Sequence, residues 1–94
     1  MITEIAMLTV DSSEVEAFEK MYQEVVPVLR KQPGYLSDTL MHAIERPDEY
    51  ILAVEWESVK DHERFIESEE YPNMSGPFGE FVKDSSFAHY RTVS

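Results

Sequence analysis

The sequence predicts an α+β fold, a single antiparallel sheet with helices packed on one face, and three observations carry that prediction. Tyr50, Leu52, Val54 and Trp56 alternate with Ile51, Ala53 and Glu55, which is the two-residue period of a pleated strand. That strand passes at Ser58 into Val59, His62, Phe65 and Ile66, whose spacings of three and four describe one face of a helix. Around this unit the apolar period switches between two and about 3.6 in the order strand, helix, strand, strand, helix, strand.

Residues 2–10 form the first strand. Ile2, Glu4, Ala6, Leu8 and Val10 share one side and Thr3, Ile5, Met7 and Thr9 the other, and apolar residues on both sides predict cover on both faces. Asp11-Ser12-Ser13-Glu14-Val15-Glu16 opens a helix, with Ser13 and Glu16 spaced as a capping box. Val15, Phe18, Tyr22, Val25 and Leu29 make its apolar stripe. Pro27 cannot donate to the carbonyl four residues back and predicts a kink or loosening, and Gln32-Pro33-Gly34 ends the helix.

Residues 35–44 read as the second strand, 45–49 as a hairpin loop, 50–57 as the third strand and 58–70 as a short helix. Residues 71–84 read as a loop with a loose helix folded over the core. Met74, Phe78, Phe81 and Val82 have helical spacing, but Gly76-Pro77 and Gly79 interrupt it. Residues 86–93 are the last strand, with Phe87, His89, Arg91 and Val93 on one face and Ala88, Tyr90 and Thr92 on the other.

With right-handed crossovers this βαββαβ order is a ferredoxin-like sandwich, four antiparallel strands with the helices on one side, and residues 1–94 make one domain. The helix-free sheet face carries Ile51, Ala53 and parts of the other strands, too apolar for water. A chain this short buries roughly 60–65% of its unfolded surface. A symmetric partner over the bare face is therefore expected, giving a homodimer.

Composition narrows the chemistry. Nineteen acidic against eight basic residues give a formal charge of −11. Such a surface repels phosphate backbones and anionic lipid, so neither nucleic acid nor a membrane surface is an expected partner. Cysteine is absent, which removes disulfides, thiolate metal sites and a thiol nucleophile and fits a reducing cytosol. Residues 1–7 have no basic region and no long apolar run, so no signal peptide or transmembrane helix is expected, and a cytoplasmic location is.

Three stretches carry a resemblance: Pro33-Gly34-Tyr35-Leu36-Ser37-Asp38-Thr39, then Trp56-Glu57-Ser58, then Asp61-His62-Glu63-Arg64-Phe65 with Ser68 and Tyr71. In these, and in length and element order, the chain resembles the antibiotic biosynthesis monooxygenase family. The resemblance implies a dimeric α+β barrel, two ferredoxin-like sheets face to face, with a pocket between sheet and helices in each subunit. The family includes cofactor-independent oxygenases of quinol-like aromatic polyketides, haem-degrading oxygenases and an isomerase of a small phosphorylated signal molecule.

Residue by residue, the resemblance puts Trp56 at the pocket tryptophan of the polyketide oxygenases, His62 where those enzymes have a tyrosine, and Leu52 where they have an asparagine. Where the haem-degrading branch has its tryptophan, histidine and asparagine, this chain has Phe65, Ser75 and a residue near Ile5, so haem chemistry is not implied.

The expected site follows. His62 is the candidate base, because imidazole titrates near neutrality. Trp56 stacks on or walls the substrate and Tyr71 closes the pocket, with Leu52, Phe65 and Tyr22 as further wall. Arg91 either holds an anionic group or pairs with Glu55 or Glu57. The glutamates at 55, 57, 67, 69 and 70 read as solvated faces. His42, His62 and His89 are the only histidines, and no short-range ligand pair joins them, so neither a metal nor any other cofactor is expected. The expected function is oxygenation of a small aromatic or quinol-like compound without metal or flavin. The alternatives are a non-catalytic ligand-binding or structural dimer whose pocket is filled by its own side chains, and an isomerase of a small metabolite with histidines as acid and base.

Overall fold

Side-chain alternation on the two central strands decides the layers. In a computed structural model describing residues 1–94, β1 (Ile2–Val10) lies between β3 (Glu49–Trp56) and β4 (Val82–Tyr90), and β2 (Tyr35–His42) flanks β3. The order β2-β3-β1-β4 is antiparallel throughout, which is the ferredoxin-like arrangement the element order predicts. Leu52 pairs with Ala6 and Val54 with Glu4, so the inward sets of both strands meet on one face. Three helices cover that face: α1 (Val15–Arg30), α2 (Val59–Ile66) and α3 (Pro72–Gly79). The core between the layers includes Phe18, Tyr22, Val26, Leu29, Tyr50, Val54 and Trp56, each almost wholly enclosed. No helix is long and apolar enough to cross a membrane.

Several local expectations change. The capping box at Ser13 and Glu16 does not form. Asp11 instead accepts from the Ser13 backbone N–H at 2.9 Å and caps a single 3-10 turn, Ser12–Glu14, before α1 begins. An Asx turn two residues long satisfies the same orphan donors earlier in the chain. The helix also continues through Pro27 to Arg30. Pro27 and Gln23 lie on its exposed side, where water can take the carbonyl that Pro27 leaves without a donor.

The segment read as a loop with a loose helix is a two-turn helix, α3. Pro72 sits in its first turn, where the missing N–H costs nothing, and Met74 is buried while Phe78 meets Phe18 and Tyr22 edge-on. Packing of those two side chains against α1 outweighs the poor propensity of Gly76-Pro77. The second strand ends at His42, two residues early, and α2 ends at Ile66. The last strand runs Val82–Tyr90, beginning four residues before the expected 86 and ending three before 93. Its polar start, Lys83 to Ser86, shows no alternation, yet an edge strand takes its hydrogen bonds from β1 whatever its side chains.

The helix-free face presents Ile5, Met7, Ile51, Ala53, Met41, Ala88 and Tyr90, with Met7, Met41 and Tyr90 about half exposed.

Candidate functional site

Three elements bring the site residues together. Trp56 is the last residue of β3 and points toward the helices. The chain then turns at Ser58, whose hydroxyl accepts from the Asp61 N–H at 3.3 Å and starts α2. The turn is fixed from outside by Gly34, at φ +84°, whose carbonyl accepts from the Glu57 N–H at 2.8 Å and whose Cα faces the Asp61 side chain. Only a residue without Cβ fits there. With α2 so anchored, the His62 ring in its first turn stacks on the Trp56 indole, centroids 5.4 Å apart and planes 22° from parallel. The Trp56–His62 approach expected from periodicity is present, and His62 is buried.

The strands supply what the sequence did not flag. Glu4 on β1 pairs with Val54 on one side and His89 of β4 on the other, and its side chain stands under the Trp56–His62 stack. Trp56 Nε1–H donates to Glu4 Oε1 at 3.0 Å, and His62 Nε2 lies 3.3 Å from the same oxygen. His62 Nδ1 and His89 Nε2 are hydrogen-bonded at 2.7 Å. A carboxylate oxygen facing Nε2 favours the tautomer with its proton there, so Nδ1 accepts and His89 donates. Burial raises the Glu4 carboxyl above the ordinary glutamate value, partly offset by the Trp56 hydrogen bond. Burial, with the neighbouring His89, lowers His62 to about 4, so its ring is neutral at pH 7. Glu4 could have been found from the sequence as the one charged residue on the Ile2, Ala6, Leu8, Val10 side of its strand. His89 had no local signal, because its partner is 27 residues away.

Glu4, Trp56 and His62 line a cavity of about 300 Å³ between the sheet and α2–α3, while His89 stands behind His62 and outside its lining. Thirteen of its nineteen lining residues are hydrophobic, so bound molecules meet an apolar wall with a few polar groups, the usual character of a small-ligand site. Leu52 and Phe65 form wall as expected, and Tyr71 also lines the cavity, its phenol raised above the ordinary value by burial and by the Glu4 carboxylate. The Tyr71 hydroxyl therefore stays protonated and can donate to a ligand. Phe87 on the edge strand, about half exposed, meets the His62 ring edge-on at 5.5 Å and stands at the mouth.

Two expected members lie elsewhere. Tyr22 is not part of the wall. Its hydroxyl donates at 2.7 Å to Asp38, which also accepts from Tyr35 and Arg30, an arrangement that ties α1 to β2 and holds the Asp38 carboxyl down at about 2. The chain turns Tyr22 this way because Asp38 faces the helices from β2. Arg91 follows the end of β4, is exposed, and pairs with neither Glu55 nor Glu57. No lysine or arginine lines the cavity. The histidines also divide: His42 stacks on Tyr50 and contacts the Pro47 carbonyl oxygen at 2.8 Å, away from His62 and His89. No three His, Asp or Glu side chains converge as a metal site would require.

Sequence comparison matches residues 1–75 to the profile of antibiotic biosynthesis monooxygenases. The chain is 35% identical over 72 residues to the uncharacterized protein YczJ of Bacillus subtilis, covering 76% of each. It is 30% identical over 79 residues to protein SchA of Streptomyces halstedii, but spans only 20% of that longer protein. Among solved structures, an antibiotic biosynthesis monooxygenase family protein from Bordetella bronchiseptica superposes with a TM-score of 0.93 at 27% identity, over 99% of this chain and 97% of that one. SnoaB, a cofactor-independent oxygenase from Streptomyces nogalater, shares the fold, with a TM-score of 0.85 at 16% identity over 99% and 93% of the two chains.

Proposed function

The chain belongs to the antibiotic biosynthesis monooxygenase family, and on that footing we propose that it is a cofactor-independent monooxygenase of a small, neutral hydroxyaromatic compound, acting as a homodimer. The observation that carries this reading is the apolar cavity of about 300 Å³ that ends on Trp56, His62 and Glu4. It combines a flat aromatic wall, a proton-accepting cluster and a largely apolar lining.

The reaction needs no external reductant. With 1,4-naphthoquinol as a representative substrate, quinol and dioxygen give 2-hydroxy-1,4-naphthoquinone and water. A base takes the phenolic proton, and the resulting anion passes one electron to dioxygen. The radical pair closes a carbon–oxygen bond at the adjacent ring carbon. The hydroperoxide then loses that carbon's hydrogen and its terminal hydroxyl as water, leaving a carbonyl. The ring loses four electrons and dioxygen gains four. The His62–Glu4 pair holds the proton, Trp56 and Phe65 wall and orient the ring, and the apolar lining shields the anion. The absence of a cationic lining residue favours a neutral substrate over a phosphorylated or carboxylated one.

Turnover of naphthoquinols and anthrones under ¹⁸O₂, read by mass spectrometry of the product, tests the proposal. One labelled oxygen in the product, above the autoxidation control, is expected. No labelled product across the panel would remove the oxygenase reading and leave a ligand-binding dimer.

A further inference from the structure

Each ring nitrogen of His62 has a protein group beside it: Nδ1 is hydrogen-bonded to His89 at 2.7 Å, and Nε2 lies 3.3 Å from Glu4 Oε1. Glu4 is different. Its Oε1 takes the Trp56 N–H at 3.0 Å, while Oε2 makes no hydrogen bond within the protein. No fully enclosed side-chain oxygen or nitrogen in the molecule lacks a partner, so Oε2 opens onto the cavity that Glu4 lines. A carboxylate among Ala6, Leu8 and Val54 is desolvated, a cost that its one hydrogen bond from Trp56 offsets only in part.

We propose that Glu4 is the catalytic acid–base of this site, taking the phenolic proton of a neutral hydroxyaromatic through Oε2 and later returning it to the departing hydroxide. The turnover half of this inference rests on the monooxygenase reading; the ligand half does not. The proton balance closes within the site. The proton that leaves the substrate oxygen becomes half of the water formed, the ring hydrogen is the other half, and Glu4 ends as it began. His62 is a positioning residue. His89, donating to Nδ1, keeps the His62 proton on Nε2, where it faces Oε1 and leaves Oε2 to the substrate. The charged and titratable groups facing Glu4 are His62 from α2, His89 from β4 and Tyr71 ahead of α3. Tyr71, on the wall of the same cavity, adds a donor for the ligand.

A carboxylate acceptor at Oε2 in a cavity without cations would select an O–H donor and reject an anion of the same shape. Calorimetric titration with 1-naphthol and with 1-naphthoate at pH 7 reads this without turnover. The wild type is expected to bind the naphthol about 10-fold or more tightly than the naphthoate, the scale of one hydrogen bond to a charged group. In Glu4→Gln, whose amide oxygen can still accept from Trp56, that preference should collapse. Equal binding of both probes to the wild type, binding of neither, or an unchanged preference in Glu4→Gln would each overturn the proposal.

With 1,4-naphthoquinol, kcat/KM of the wild type should rise with pH along a limb set by Glu4, and Glu4→Gln should lose the limb and about 10²-fold in rate. His89→Leu should move the limb, while His89→Gln, which keeps an N–H donor, should restore it. A merely structural His89 would lower stability and leave the limb in place. Naphthol selectivity without oxygenation would retain Glu4 as the ligand's acceptor and sink the oxygenase reading alone. Full turnover in a folded Glu4→Gln would sink Glu4 as the base.

Discussion

His62 Nδ1 and His89 Nε2 lie 2.7 Å apart, and that bond ties α2 to the edge strand β4 beside the cavity that His62 lines. Two imidazoles at this distance cannot both be protonated on the shared side, and burial further disfavours charge on His62. The His62 ring is therefore expected to stay neutral from pH 8 down to about 5, because its folded-state value is about 4 against 6.5 in a free chain. The stabilisation from keeping it neutral is complete above about pH 6.5 and is lost as pH falls through the folded value. Ring-resonance titration by NMR checks this, and a His62 midpoint near 6.5 would contradict it.

Glu4 works in the opposite sense. Burial raises its folded-state pKa above 4.5, so its contribution to stability is present below the unfolded value and is lost as pH rises through the folded one. Glu4→Gln has no such slope. Its melting temperature relative to wild type should increase as pH rises above about 4.5 and level off once the wild-type carboxyl has ionised. A difference that is constant or shrinks with pH would show that the carboxylate is not held against its charge.

Gly34 and Gly79 should respond to alanine with opposite signs. A Cβ at Gly34 would fall 2.2 Å from Asp61 Cγ, on backbone at φ +84°, and should cost about 1–3 kcal/mol and loosen the start of α2. A Cβ at Gly79 meets nothing within 4 Å at the end of a helix, where alanine should be neutral or stabilising by up to about 1 kcal/mol. Urea unfolding of both variants makes the comparison. Because Gly34 sets the position of His62, its variant should also lose ligand affinity.

The helix-free face should bury itself against a second copy. Met7, in the middle of the central strand and 45% exposed, is its natural probe. Light scattering behind size exclusion is expected to report a dimer for wild type and a monomer for Met7→Glu. A wild-type monomer at micromolar concentration would rule the dimer out.

Activity should be indifferent to chelators and should fall by about 10²-fold in His62→Ala, which removes the group that orients Glu4. Elemental analysis and the visible spectrum of purified protein are expected to show no stoichiometric metal, haem or flavin. Activity lost on chelation and restored by a metal would point instead to a histidine site.

Much of the fold was legible in the residues because its two periods are clean. The alternation of Tyr50, Leu52, Val54 and Trp56 and the stripe through Phe18, Tyr22 and Leu29 each describe one buried face, and burial is what both elements obtain from it. The α3 helix was hidden because Gly76-Pro77 opposes it locally, and only contact of Met74 and Phe78 with α1 reverses that preference. The start of β4 was hidden because an edge strand is specified by its neighbour's backbone and needs no pattern of its own.

By itself, the sequence determined the layer order, the inward sides of the central strands and the meeting of Trp56 with His62, since these follow from local period and from chain continuity through Ser58. Only the tertiary structure decided which polar groups meet at and behind the cavity wall. Glu4, His62 and His89 come from three elements far apart in the chain, and the register of β1 against β4 sets Glu4 beside His89. A shift of one residue in that register would turn His89 to the opposite face, because side chains alternate along a strand. The same pairing leaves Arg91 beyond the strand, and Asp38 draws Tyr22 away from the pocket. Such choices depend on the partners that the fold brings within hydrogen-bond distance, and no local pattern in the chain encodes them.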